Sequence, residues 1–269
     1  MDTSHIVLMC ILIFFWLWSL PLLLVMTIFM APAAWCVLAL STSLSIYLQW
    51  RHHGRIFVRH PIRQWLSRIP WHEWFPCNVL RFDKKSVVAV HPHGLLCCGA
   101  VAGIHLVPES ETVLCVAPVL FYVPVIGWLL RLIGCIPARL AEMRGALQGG
   151  HTLLVIPGGV PELVLAETGD DRRRFRRHGF LRLARDMQVP VFTVFVRGEC
   201  SLFHIPKAPC LQRRVWWSWR LNVPLVVPVF LGWYGTWLPK RVPLCLTPKK
   251  IEDIAVYDAT LYSLMNPKL

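Results

Sequence analysis

The sequence predicts an α/β fold, a mostly parallel sheet flanked by helices, preceded by an amino-terminal transmembrane helical hairpin. Three observations predict it. Short β-branched runs alternate with helical segments between residues 86 and 196, the pattern of strands joined by crossover helices. The histidine-rich and glycine-rich motifs both fall at the ends of such runs, where open α/β sheets gather their ligands. From Ile6 to Trp50 the chain holds no Asp, Glu, Lys, Arg or His.

That apolar tract is long enough for two passes, because a helix crosses a bilayer with roughly 20 apolar residues. It divides into helices over 6–29 and 33–49, turning at Ala31-Pro32-Ala33. A secretory signal competes, since Ala31-Pro32-Ala33 imitates a cleavage site. Asp2, the lack of Lys or Arg ahead of the tract, and its length argue against a signal. A single tilted span with a buried second helix is the other alternative.

Residues 1–50 are thus a hairpin, 51–85 a basic and aromatic connector at the membrane surface, and 86–269 a domain facing the cytosol. The connector carries Arg51, Arg55, Arg59, Arg63, Arg68, Arg81, Lys84 and Lys85 against Glu73 and Asp83. Such a basic flank marks the cytoplasmic side. Trp50, Trp65, Trp71, Trp74 and Phe75 are interleaved with those charges, as expected of a segment at headgroup level. Overall, 55% of residues are apolar and 16% charged, with a net charge of +13. No nucleic-acid-binding motif accompanies that charge, so anionic headgroups and cofactor phosphates are the expected partners and nucleic acid is not. The ten cysteines include no Cys-x-x-Cys pair and read as reduced thiols, mostly in the core.

Within 86–269 the elements follow in order. Ser86–Val90 is a strand that ends at His91-Pro92-His93-Gly94, and Leu95–His105 is a buried helix. Thr112–Ala117 is a second strand, and Val123–Ile133 and Leu140–Leu147 are helices. Thr152–Ile156 is a third strand and ends at Pro157-Gly158-Gly159. Gly179–Met187 sets Phe180, Leu183, Ala184 and Met187 on one helical face, and Val191–Val196 is a fourth strand. The apolar run Leu221–Tyr234 is broken by Pro224 and Pro228 and is either buried or dips into the membrane interface. Arg213, Arg214, Trp216, Trp217, Trp219 and Arg220 just before it favour the interface.

Two histidines around a proline and before a glycine suit a rigidly held imidazole. Proline restricts itself and its predecessor, while glycine permits a sharp turn or close approach of a ligand. A neutral histidine so held can act as a general base. Cys97 and Cys98 raise a metal site as a rival, but adjacent cysteines do not easily share one tetrahedral ion with the two histidines. Gly158 and Gly159 offer backbone N–H groups to an anion, with Glu162 following; alone the run reads equally as a loop. Arg172, Arg173, Arg174, Arg176 and Arg177 could clamp phosphates or form a solvated or membrane-facing surface, with Asp170 and Asp171 neutralising part of them.

Taken in order, these blocks resemble the type-2 diacylglycerol acyltransferase family, which includes monoacylglycerol acyltransferases and wax synthases. His91-Pro92-His93-Gly94 matches its His-Pro-His-Gly signature. Gly134-Cys135-Ile136-Pro137-Ala138-Arg139 is similar to a Gly-x-x-Pro block followed by arginine, and Gly158-Gly159-Val160-Pro161-Glu162 to Gly-Gly-x-x-Glu. Arg177-His178-Gly179-Phe180, with Leu183-Ala184 and Val189-Pro190-Val191, resembles the block before the family's last core strand, and Gly198-Glu199 a Gly-Glu that follows. The wider superfamily's His-x-x-x-x-Asp is absent, since the matching positions are Leu96 and Cys98. Pro161 stands where the family usually has a small residue, and Cys245-Leu246-Thr247-Pro248 where a Gly-x-Pro is expected.

The resemblance implies a glycerolipid-acyltransferase-like fold and an acyl-CoA-dependent O-acyltransferase of lipid metabolism. It would use acyl-CoA as co-substrate and no further cofactor or metal. Acceptor and product would be diacylglycerol and triacylglycerol, with a lysophospholipid or fatty alcohol as alternative acceptors and a catalytically silent lipid-binding membrane protein as the alternative class. It implies a multi-pass protein of the endoplasmic reticulum membrane or lipid droplets and is compatible with a homo-oligomer. On this reading His93, next to the turn glycine Gly94, is the base, oriented by His91. Glu162 stabilises the imidazolium, Gly158 and Gly159 donate N–H groups to an oxyanion or a phosphate, and Arg139, Arg176 and Arg177 hold the phosphates of coenzyme A.

Overall fold

A computed structural model describes residues 32–51, 56–83, 85–123, 125–171, 177–221, 225 and 230–265. The first helix of the expected hairpin lies outside the described residues. The second forms as α1, Pro32–Arg51. Among the described residues no helix is long and apolar enough to cross a membrane. Helix α1 packs against α5, Ile126–Leu132, and the 3-10 turn Pro118–Tyr122, and it leaves Val37, Leu40, Leu44 and Ile46 exposed.

In the connector, burial differs from the expectation. It folds as α2, Pro61–Ser67, and α3, Trp71–Trp74. Pro61 starts α2 where a missing N–H costs nothing, and His60 caps it by accepting from the Ile62 amide at 3.3 Å. Trp74 and Phe75 are fully buried and so do not sit among headgroups. Trp74 donates from Nε1 to the Pro239 carbonyl at 3.1 Å, with the Arg241 guanidinium over its ring. Arg63 is buried as well, and its Nη2 donates to the carbonyls of His105, Ser110 and Thr112 at 2.9–3.2 Å. Desolvation lowers its pKa to about 10, and the three carbonyls supply the polar partners that a buried cation requires.

The sheet has six strands in the order β3-β2-β4-β1-β5-β6. They are β1 Val87–His91, β2 Thr112–Val116, β3 Cys135–Pro137, β4 Thr152–Val155, β5 Val191–Arg197 and β6 Cys245–Ile251. All neighbouring pairs run parallel except β5 and β6. The mostly parallel sheet is thus as expected, with two strands more. Residues of β1 alternate between two apolar layers: Val88 and Val90 face one, Val87 and Ala89 the other. Because both faces are covered, the strands read as continuous apolar runs.

One layer holds Trp74, the segment after β1 (α4, Cys98–Ala100, continuing as a π-helical turn Val101–His105), and α5. The other holds α6, Leu140–Gln148, α8, Gly179–Asp186, and α10, Tyr257–Met265. Between them in sequence come α7, Gly159–Leu165, after β4 and α9, Leu211–Leu221, after β5. Parallel strands put the ends of β1, β2, β3, β4 and β5 on one edge, and the motifs meet there.

Candidate active site

His91 is the last residue of β1 and is 1% exposed. A cis peptide bond joins it to Pro92, and Gly94 turns the chain at φ +56°. His93, between them, is half-buried. Strand β4 pairs directly with β1, so the glycine motif at its end arrives beside the histidines. Pro161 lies in the first turn of α7, where a proline removes no intrahelical hydrogen bond. The unusual proline is therefore accommodated, and Glu162 still reaches the site.

Glu162 is buried and accepts the His93 backbone N–H on Oε2 at 2.8 Å. Its Oε1 lies 3.6 Å from His91 Nδ1. On the far side of that ring, His91 Nε2 and Tyr257 Oη are 2.7 Å apart. If the tyrosine hydroxyl donates to Nε2, Nδ1 carries the proton and faces the carboxylate, which gives Glu162, His91 and Tyr257 a consistent polarity. His91 is thereby enclosed by protein on both nitrogens.

The His93 ring differs. Its Nδ1 lies 3.0 Å from the Gly94 carbonyl oxygen. A carbonyl only accepts, so Nδ1 must carry the hydrogen and Nε2 the lone pair. The place a triad carboxylate would take at Nδ1 is thus held by a backbone oxygen. Glu162 meets His93 at the amide, although its charge still favours the protonated ring. Burial outweighs that and holds the His93 pKa below the ordinary histidine value, so the ring is neutral near pH 7.

Gly158 sits against the Glu162 carboxyl: a Cβ there would meet Oε2 at 1.9 Å. The Gly159 N–H already donates to the Ile156 carbonyl at 3.3 Å. Gly159 has φ +54°, and the Arg177 guanidinium is the nearest group to the space where its Cβ would be. Arg177 is exposed beside the motif, whereas Arg172–Arg176, and with them Arg176, lie outside the described residues. Arg139 follows β3, three strand spacings or roughly 14 Å from β1, and donates to Tyr122 Oη at 2.9 Å.

Three contributors had no place in the site read from the sequence. Glu199, after β5, is buried and accepts the N–H groups of Cys98 and Gly99 at 2.7 and 2.8 Å. Its side chain occupies the space that a Cβ on Gly94 or Gly99 would need. Desolvation raises its pKa to about 8, with the two amides opposing. Asp171 accepts the N–H groups of Gly198 and Cys200 at 2.6 and 2.8 Å and so fixes the Glu199 turn, while four of the arginines it is expected to neutralise lie outside the described residues. Tyr257 comes from α10 and stacks edge-on against Phe180, which gives the Arg177–Phe180 block a packing role. Only the Gly198-Glu199 pair left a signal in the sequence. The thiols of Cys97 and Cys98 are pushed well above their usual range by burial and by Glu199. Among the described residues no group of three His, Cys, Asp or Glu side chains could hold a metal ion.

The sequence profile of the family described as diacylglycerol acyltransferase matches residues 26–245, most of the chain. This chain belongs to the diacylglycerol acyltransferase family. Curated members it resembles include diacylglycerol O-acyltransferase 1 of Schizosaccharomyces pombe, 27% identical over 63% of this chain and 55% of that protein. Human 2-acylglycerol O-acyltransferase 3 is 24% identical over 53% of this chain and 48% of its own. The chain thus spans about half the length of these two relatives. A solved 1-acyl-sn-glycerophosphate acyltransferase of Thermotoga maritima aligns with 85% of this chain and 92% of its own, at 15% identity and a TM-score of 0.44, too low to add to the case.

Proposed function

We propose that this family member transfers a fatty acyl group from acyl-CoA to the hydroxyl of a neutral lipid, diacylglycerol giving triacylglycerol. The observation that carries the reading is the His93 ring, whose lone-pair nitrogen Nε2 is set in a neutral, half-buried imidazole at the strand-end edge. The acceptor hydroxyl loses its proton to Nε2 as its oxygen attacks the thioester carbonyl carbon. The tetrahedral intermediate then collapses, the C–S bond breaks, and the coenzyme A thiolate takes the proton back from the imidazolium. No enzyme-bound acyl intermediate is needed.

The other residues support this step from behind. Glu162 fixes the His93 backbone and offsets the imidazolium charge, while His91, enclosed between Glu162 and Tyr257, holds the cis turn. Arg177 and Arg139 are assigned to the phosphates of coenzyme A, with Arg176 alongside Arg177 in sequence. We further place the chain at the endoplasmic reticulum membrane, with residues 1–50 as anchor, 51–85 as connector and 86–269 facing the cytosol, because the family relatives act on acylglycerols.

The test supplies labelled oleoyl-CoA to membranes carrying wild-type chain or His93→Ala, with diacylglycerol, monoacylglycerol, fatty alcohol or lysophosphatidate as acceptor. Histidine-dependent triacylglycerol is the expected product. A product from another acceptor reassigns the substrate, and full turnover in His93→Ala rejects the mechanism.

A further inference from the structure

Helix α9 turns its tryptophans outward. Leu211, Arg214, Val215 and Ser218 recur at the spacing of one helical face, and they are its less exposed positions, with Ser218 fully buried. The opposite face carries Arg213, Trp216, Trp217 and Arg220, all exposed. In a helix packed on a core the apolar stripe faces inward. Here the inner face is mixed, Leu211 and Val215 beside Arg214 and Ser218, while Trp216, Trp217 and Trp219 are left outside. Arg214 pairs with Glu167 and donates to the Leu225 carbonyl at 3.1 Å, and Ser218 Oγ accepts the Leu225 N–H at 3.1 Å.

Trp216 and Trp217 lie edge to face, ring centroids 4.7 Å apart, and the Arg220 guanidinium sits 5.5 Å from the Trp216 ring. Indole rings flanked by guanidinium groups are the chemistry of the lipid headgroup zone, where tryptophan sits at the interface and arginine meets phosphate. The helix has no Asp or Glu to oppose an anionic surface. It packs against α7, the helix that brings Glu162 to His93. Val119 and Tyr122, in the turn after β2, and Val125 are exposed too, so apolar side chains surround the same strand-end edge.

We propose that the outer face of α9 lies on an anionic membrane surface and, through α7, sets the mouth of the His93 site at headgroup level. This is contact by residues 211–221 themselves, separate from any anchoring by the amino-terminal tract. It rests on the acyltransferase reading only for its consequence, that acceptor lipid reaches the site laterally from the same monolayer.

The full chain is reconstituted in phosphatidylcholine vesicles, with and without phosphatidylserine, that contain a phospholipid bearing a photoreactive diazirine near its headgroup. After illumination, labelled peptides are mapped. The expected result is labelling of 211–221, stronger with phosphatidylserine. Trp216→Ser/Trp217→Ser should abolish it, and Arg213→Gln/Arg220→Gln should remove only the dependence on phosphatidylserine. These side chains are exposed, so a preserved melting temperature is expected and checks the fold. Labelling of 211–221 no greater than on the exposed side of α6, or a cross-link from 211–221 to a second copy of the chain, overturns the proposal. Photolabelling needs no turnover, so its outcome is independent of whether acyl transfer is observed.

Discussion

At the scale of single residues, the two motif histidines separate by what their nitrogens touch. His91 has one nitrogen against Tyr257 and the other facing Glu162, whereas the Gly94 carbonyl commits only Nδ1 of His93. His93→Ala should lower turnover by about 10²–10⁴-fold, the usual worth of a general base. Because burial depresses the His93 pKa, the ring stays neutral to lower pH than a free histidine. The acid limb of kcat/KM should therefore fall below about pH 6.5, with activity rising as pH increases through it and level above. A limb above that value would contradict the assignment. Gly158→Ala must push the Glu162 carboxyl aside, which leaves the His93 amide unpaired. A stability loss of about 1–3 kcal/mol with a larger proportional loss of kcat is expected, read by thermal melting beside kinetics. Tyr257→Phe removes one hydroxyl from a buried pair and should cost about 1 kcal/mol, with KM for acyl-CoA unchanged.

At the scale of elements, three carboxylates tie together segments far apart in sequence. Glu162 joins α7 to the turn after β1, Glu199 joins the end of β5 to the start of α4, and Asp171 joins the α7–α8 connection to the Glu199 turn. Each ties side-chain oxygens to backbone N–H groups that regular structure leaves unused. For Glu199 the folded pKa of about 8 lies above the usual carboxyl value. Its contribution is thus full at low pH and is lost as pH rises, from roughly 4.3 up to about 8. Thermal melts over that range should show wild type losing stability relative to Glu199→Gln, and a constant difference between the two would show that Glu199 does not titrate there. Arg63 does the corresponding work for α2, gathering three carbonyls. Arg63→Met should destabilise by about 3 kcal/mol, because charged hydrogen bonds are lost and the acceptors stay buried; chemical denaturation measures it.

At the scale of the whole molecule, local pattern and long-range assembly divide the information. The four parallel strands β1, β2, β4 and β5 were legible because both their faces are covered, which makes them short runs of Val, Leu and Phe ending in glycine or proline. Strand β6 was not. Its sequence CLTPKKI contains a proline and two lysines, tolerated because it pairs on one side only, at the sheet edge. Strand β3 has three residues, too few for any period. The connector misled for a related reason. Tryptophan and arginine look alike in sequence whether they meet lipid, as proposed for α9, or a buried carbonyl, as for Trp74 and Arg63. The sequence by itself determined the alternating architecture, the family and the motif residues His91, His93, Gly158 and Glu162, because each depends on neighbours in the chain. Only the tertiary structure decided that Nε2 of His93 is the available lone pair, that Glu162 holds a backbone amide in place of an imidazole, and that Tyr257 and Glu199 complete the site. The His93 lone pair follows from the neighbouring Gly94 carbonyl, but the contacts of Glu162, Glu199 and Tyr257 join residues 69 to 166 positions apart, and only the parallel sheet, by bringing its strand ends to one edge, puts them within hydrogen-bond reach.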